Sequence, residues 1–193
     1  AKKDKKVLVL EQHDIAGGNL HTFTEKGYEF DTGLHYIGGE IGNTSSSLRK
    51  QLDYITEGGV EWEPMDDSYD IAIVNNERFE FCADWTKLKA RLKTSFPNDT
   101  EAIDKYFQLV QSATSLFPAI LVLKLLFPEP LFRLCMQLIL PLRILSKTTK
   151  EVLESITTNR KLHGVLTYHY GDYGEPPERG AFAMNALIAS HYR

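Results

Sequence analysis

Val7-Leu8-Val9-Leu10 is a continuous aliphatic run of strand length. Such a run is expected to be buried on both faces, as the strands of a parallel sheet are. Glu11 ends it, and Gly17-Gly18 follows six residues later. An apolar strand that feeds an acidic, glycine-bearing loop places the chain in the α/β class.

The same segment carries the first chemical signal. A carboxylate at the end of a parallel strand can accept hydrogen bonds from both hydroxyls of a ribose, and dinucleotide sites use it this way. Glu11 has that place, although an acid after an apolar strand also suits a solvated loop. Gly17 and Gly18 let the main chain pass close to a pyrophosphate and offer N–H groups that a side chain would obstruct. A simple turn is the alternative. The combination of strand, terminal acid, short spacer, glycine pair and the polar Asn19, His21 and Thr22 favours the nucleotide reading.

Further along, Tyr28–Asp31 reads as a second short strand, and Asp14 to Thr24 as a tight loop. A glycine-punctuated loop, Thr32 to Gly39, follows, and Thr44–Ser47 can start a helix through Leu48 and Leu52. Two alternating segments, Tyr69–Val74 and Arg78–Cys82, flank Asn75-Asn76-Glu77 and read as an antiparallel hairpin. Asp84 can cap a helix that ends at Pro97, Asn98 with Glu101 suggests a capping box, and Thr148 with Glu151 suggests another. Tyr168 to Arg179 is a polar loop, and the chain ends within an apolar helical pattern.

Leu116 to Leu145 is dominated by aliphatic and aromatic residues, interrupted by Pro118, Lys124, Pro128, Glu129, Pro130, Arg133, Pro141 and Arg143. Its uninterrupted apolar pieces fall far short of the ~20 residues that span a bilayer. Short helices lying in a membrane interface, roofing an apolar pocket or forming ordinary core all fit it.

The formal charge of −4, with basic residues dispersed beyond the Lys-rich start, gives no stripe suited to a phosphate backbone and makes nucleic acid an unexpected partner. Cys82 and Cys135 stand far apart without His or Cys at metal-ligand spacing, so no metal site is expected.

VLVLEQHDIAGGNLHTF followed by GYEFDTGLHYIGG resembles the FAD-binding N-terminal region of the phytoene desaturase-like flavoproteins, and within them the retinol saturase branch. The likeness continues through the hairpin, the apolar stretch and the Tyr170–Gly174 loop with Ala181–Met184. It implies a partial FAD/NAD(P)-binding Rossmann-like domain over residues 1–60. An inserted substrate domain with an antiparallel sheet and helices would then occupy 61–193. In that family a GxGxxG strand–turn–helix precedes this region, so the chain is expected to be an internal piece that alone binds FAD poorly and is inactive.

The resemblance makes Glu11 the adenosine-ribose ligand and Gly17 and Gly18 part of the phosphate and isoalloxazine approach, with Asn19 and His21 as further flavin contacts. His35 could donate to flavin or substrate, or serve as a structural residue. It assigns no catalytic residue. The implied chemistry is saturation of one double bond of a retinoid, all-trans-retinol to 13,14-dihydroretinol, with NAD or NADP as a possible electron donor and a peripheral place on the endoplasmic reticulum membrane. A carotenoid desaturase or amine-oxidase relative running the flavin in the opposite direction is the alternative enzyme. A non-enzymatic lipid- or membrane-binding module is the alternative of another class.

Overall fold

The computed structural model describes residues 4–33, 36–138 and 143–192. The chain forms two compact units, Ala1–Ile37 and Gly38–Arg193.

In the first unit, β1 (Thr22–Glu25) and β2 (Tyr28–Asp31) form an antiparallel hairpin. Lys26 and Gly27 both have positive φ, 52° and 83°, which is the backbone a two-residue turn of the I′ type needs. Phe23 faces Phe30 across the ladder, their rings stacked 5.3 Å apart. This cross-strand aromatic pair holds the register. Thr22–Glu25, read from sequence as loop, is therefore the partner strand of Tyr28–Asp31.

Val7–Leu10 departs from expectation. It forms no ladder pairing and its side chains are exposed, Leu8 at 82% and Leu10 at 84%. A parallel strand is held by neighbours on both edges and by layers on both faces. Among the described residues no strand pairs with this one, so its apolar run stays bare. The described sheets are two antiparallel hairpins; mixed with the helices they give an α/β chain.

The second unit opens with α1 (Ser47–Thr56), whose Ser46 side chain accepts from Arg49 N. β3 (Ser68–Val74) and β4 (Glu77–Cys82) then pair antiparallel around Asn75-Asn76, at φ 52° and 63°. Asparagine tolerates this left-handed backbone better than most residues, which is why the polar turn sits there. α2 (Trp85–Ser95) is capped by Asp84, which accepts from the N–H groups of Thr86 and Lys87.

α3 (Thr100–Leu126) is the longest element and runs without a break through Pro118. By length and composition alone, Pro97–Leu126 is long and apolar enough to cross a membrane, and it shares only residues 116–126 with the apolar stretch read from sequence as too broken to span. A proline removes one ladder bond, and here the helix continues past it. The expected capping box of Asn98 and Glu101 is also absent. Pro97–Asp99 forms a 3₁₀ turn, and Asp99 spends its carboxylate on Thr157 Oγ1 at 2.5 Å and Asn159 Nδ2 at 2.8 Å.

α4 (Glu129–Leu138), α5 (Thr149–Glu154), α6 (Arg160–Leu166) and α7 (Phe182–His191) complete the unit. At α5 the box of Thr148 and Glu151 forms in both directions. The core lies between the second hairpin and helices α2, α3, α6 and α7, where Ile103, Val110, Leu162, Val165 and Phe182 are fully buried.

Candidate functional site

The first unit brings the expected cofactor residues to one place. Leu10, Glu11, Gln12, His13, Gly18 and Asn19 line a single open depression. Gly17 has φ 126° and opens the short 3₁₀ turn Gly18–Leu20, with Leu20 N donating to Gly17 O at 2.9 Å. A Cβ on Gly17 would come within 3.1 Å of His21 N, so the turn closes only because no side chain is there. Gly18, at φ 56°, faces Glu11: a Cβ on it would stand 3.8 Å from Glu11 Oε2.

Glu11 is held from its own loop. Its Oε1 accepts from His13 N at 3.0 Å and meets His13 Nδ1 at 2.7 Å. The backbone bond first, then the ring contact, lower the Glu11 pKa below the usual carboxylate value against a small opposing effect of burial. Glu11 is thus ionised at neutral pH and acts as an acceptor only. The backbone N–H groups of Gln12 and Gly18 favour the charged form further.

His21 points inward rather than into the depression: its Nδ1 lies 2.5 Å from Gly18 O. A carbonyl can only accept, so Nδ1 carries the proton and the ring fastens the turn. Three of the expected residues, Glu11, Gly18 and Asn19, therefore line the depression, while Gly17 opens the turn beside it and His21 fastens that turn. His35 lies outside the described residues.

Sequence reasoning missed Thr32 and Gly33. The Thr32 hydroxyl lies 2.7 Å from His21 O and 3.0 Å from Asn19 O, and Thr32 N donates to His21 O at 3.2 Å. A Cβ on Gly33 would collide with the Asn19 carbonyl and crowd Leu20. The Asp31-Thr32-Gly33 segment is thus a clamp on the Gly17–His21 turn. Its signal was a threonine and a glycine adjoining a strand end, which only the hairpin turns back onto the glycine pair.

The second unit holds a buried polar centre. The Tyr106 hydroxyl donates to Leu166 O at 3.1 Å and accepts from Asn185 Nδ2 at 3.1 Å. Burial drives the Tyr106 pKa far upward, so the phenol stays protonated. His169 Nε2 meets Asn185 O at 3.3 Å, and burial lowers the His169 pKa, keeping the imidazole neutral. Tyr106 and His169 also border a small aromatic-walled cavity with Tyr69, Phe81 and Tyr192. Among the described residues no cluster of His, Cys, Asp and Glu suits a metal ion.

The family model of the NAD(P)-binding Rossmann-like domain matches residues 1–52. Over its whole length the chain is similar to all-trans-retinol 13,14-reductase of Danio rerio, 36% identical, and of Homo sapiens, 41% identical, covering 33% of each. It is also 33% identical to a protein of Danio rerio named inactive all-trans-retinol 13,14-reductase, over 99% of this chain and 32% of that one. The chain spans about a third of the length of the curated relatives it matches. No solved structure matches it. A nucleotide-type cofactor region at the N-terminus fits both the matched family model and the depression lined by Glu11, Gly18 and Asn19. From end to end the chain is thus similar to proteins named all-trans-retinol 13,14-reductase.

Proposed function

We propose that the chain is part of a FAD-dependent oxidoreductase that saturates a carbon–carbon double bond of a retinoid, taking all-trans-retinol to the 13,14-dihydro product. The observation that carries this reading is whole-chain similarity to proteins named for that reaction, at 36–41% identity. The donor set of the first unit fits the cofactor. Glu11 is an ionised acceptor beside a glycine that puts no side chain against it, which suits a ribose diol, and Gly17 and Gly18 would admit a pyrophosphate close to the backbone. Asn19 borders the same depression, and His21 keeps the turn in shape.

The chemistry a bound, reduced flavin would supply is a hydride for one olefinic carbon, with a proton completing the other. This chain's residues bind and orient: Glu11 takes the ribose, the glycine turn takes the phosphates, and Thr32 and Gly33 fix the turn's shape. Residues 1–60 form the nucleotide-holding region and 61–193 belong to the substrate-binding part. NAD or NADP is the candidate electron donor, and the protein works at the endoplasmic reticulum membrane as a peripheral enzyme. The full-length protein, given all-trans-retinol and a reductant, is expected to form a product two hydrogens heavier. Oxidation of the polyene in place of reduction would favour the desaturase reading.

The relative named inactive supports a second reading, a retinoid-binding protein without turnover. Retinoid binding by a flavin-free full-length protein, with no product at any reductant, would select it.

A further inference from the structure

The end of α3 and all of α4 expose an unusual amount of aliphatic surface. Leu121, Val122, Leu125 and Leu126 on α3, and Leu131, Leu134 and Leu138 on α4, are all exposed, Leu125 at 86%. On α4 the three leucines repeat at spacings of three and four and so form one stripe. At the end of α3 the apolar residues go round the helix: Leu116, Ile120 and Leu123 pack against the core, and the other four face away from it. A helix apolar on all sides belongs inside protein or in lipid.

The charges decide between these. From residue 116 to 147 the chain carries Lys124, Arg133, Arg143 and Lys147 against one acid, Glu129, within a protein of net charge −4. Lys124 Nζ lies 5.9 Å from the Phe132 ring centroid, so a cation sits between the two apolar helices. A protein partner covering these leucines would have to desolvate that cation, and interface cores are depleted of lysine for this reason. A lipid headgroup layer leaves it solvated and paired while its stem lies along the acyl boundary.

We infer that the α3 end and α4 together form a wedge that docks on an anionic lipid surface, with the seven leucine and valine side chains in the acyl boundary and Lys124 and Arg133 among the headgroups. The wedge does not span. Ile103, Tyr106, Phe107 and Val110 commit the first half of α3 to the protein core, leaving only 116–126, about 16 Å of helix, with an exposed apolar face. A bilayer's hydrocarbon core is about 30 Å thick. The proposal specifies the peripheral-membrane reading above and does not depend on the redox reading.

The test is flotation of the full-length protein with vesicles of phosphatidylcholine alone and of phosphatidylcholine with phosphatidylserine. The wild type is expected to float with both and better with the second. L125E/L134E should lose binding to both while keeping its unfolding midpoint and its oligomeric state, because neither side chain packs against the core. K124E/R133E should lose most of the preference for phosphatidylserine, on the order of tenfold in partition. Wild-type flotation by L125E/L134E would overturn the proposal. So would a fall in its unfolding midpoint, which would mean that other parts of the protein cover the patch, or a change of oligomeric state, which would mean a second copy does. Retinol turnover of the same variants in detergent separates a failure of this proposal from a failure of the reductase reading.

Discussion

Thr32 holds His21: its hydroxyl lies 2.7 Å from the His21 carbonyl oxygen, and its own N–H reaches the same oxygen at 3.2 Å. The strand end of one motif thereby fixes the glycine turn of the other. The shape of the depression beside Glu11 follows from this joint as much as from the glycines, because the turn has only a short 3₁₀ segment of its own. An exposed turn with so few internal bonds needs an external tie to keep one conformation.

Removing that tie alone should weaken the cofactor. Thr32→Val keeps the branched shape and deletes the hydroxyl, a loss of about 1 kcal/mol for an ordinary hydrogen bond. The full-length variant is expected to retain several-fold less FAD, read as the flavin-to-protein absorbance ratio after gel filtration. Thr32→Ser should retain it almost fully. Equal retention by all three proteins would show that the clamp does not govern the turn.

Gly33→Ala is expected to do more damage than Thr32→Val. Its Cβ would collide with the Asn19 carbonyl, which cannot yield without moving the turn it belongs to. FAD retention should fall below that of the valine variant while the second unit's unfolding is unchanged. An alanine variant with wild-type flavin content would mean that the two segments separate in the intact protein.

Glu11→Gln tests the ribose contact. The amide keeps the size and loses the charge, and charge-assisted bonds are the stronger kind. FAD should bind on the order of tenfold more weakly. Because the His13 bonds hold the Glu11 pKa below the usual carboxylate value, wild-type affinity through Glu11 should stay flat on the alkaline side of that range and fall only as the carboxylate takes up a proton. Affinity titrations across pH on both proteins check this. A wild-type affinity that falls well above the carboxylate range would remove Glu11 from the role.

The signals that sequence exposed were local ones. Asp84 and Thr148 were legible as caps, and Thr44–Ser47 as a helix start, because each stands just before an apolar helical pattern, and the structure uses the side chains of Ser46, Asp84 and Thr148. The Asn75-Asn76 turn was legible because a short polar segment stands between two alternating ones. Asn98 failed as a cap because the neighbouring Asp99 is claimed from sixty residues away by Thr157 and Asn159, which no local pattern encodes. Val7–Leu10 failed differently: its pattern describes a strand within a sheet, and the described residues supply no neighbour for it. Glu11, Gly18 and Asn19 were legible as a set because they are close in sequence, whereas Thr32 and Gly33 reach them only through the β1–β2 hairpin.

Tyr106→Phe should destabilise the second unit. The hydroxyl is fully buried and serves two partners, so its loss leaves the Leu166 carbonyl without its donor and Asn185 Nδ2 without its acceptor. Asn185 Oδ1 already lacks a partner among the described residues, so the amide has nothing to fall back on. The cost is about 1–3 kcal/mol, measurable by denaturant unfolding. A midpoint unchanged from wild type would mean that water enters the centre and replaces the phenol.

His169 makes stability depend on pH. Burial lowers its pKa in the folded chain, and it outweighs the Asn185 carbonyl and the charges of Asp172 and Asp70, all of which favour the protonated ring. The unfolded chain, with an ordinary imidazole near pH 6.5, then binds more protons than the folded one in the window below that value. The stabilisation is therefore present in full above about pH 6.5 and is lost as the pH falls toward the lowered folded value. His191 is shifted the same way by burial, against Asp172, and adds to the slope. Unfolding midpoints at neutral and mildly acidic pH should show a smaller acid loss in His169→Gln than in the wild type, with the His191 part remaining. An unaltered slope in that variant would mean that the His169 ring reaches solvent in the folded protein.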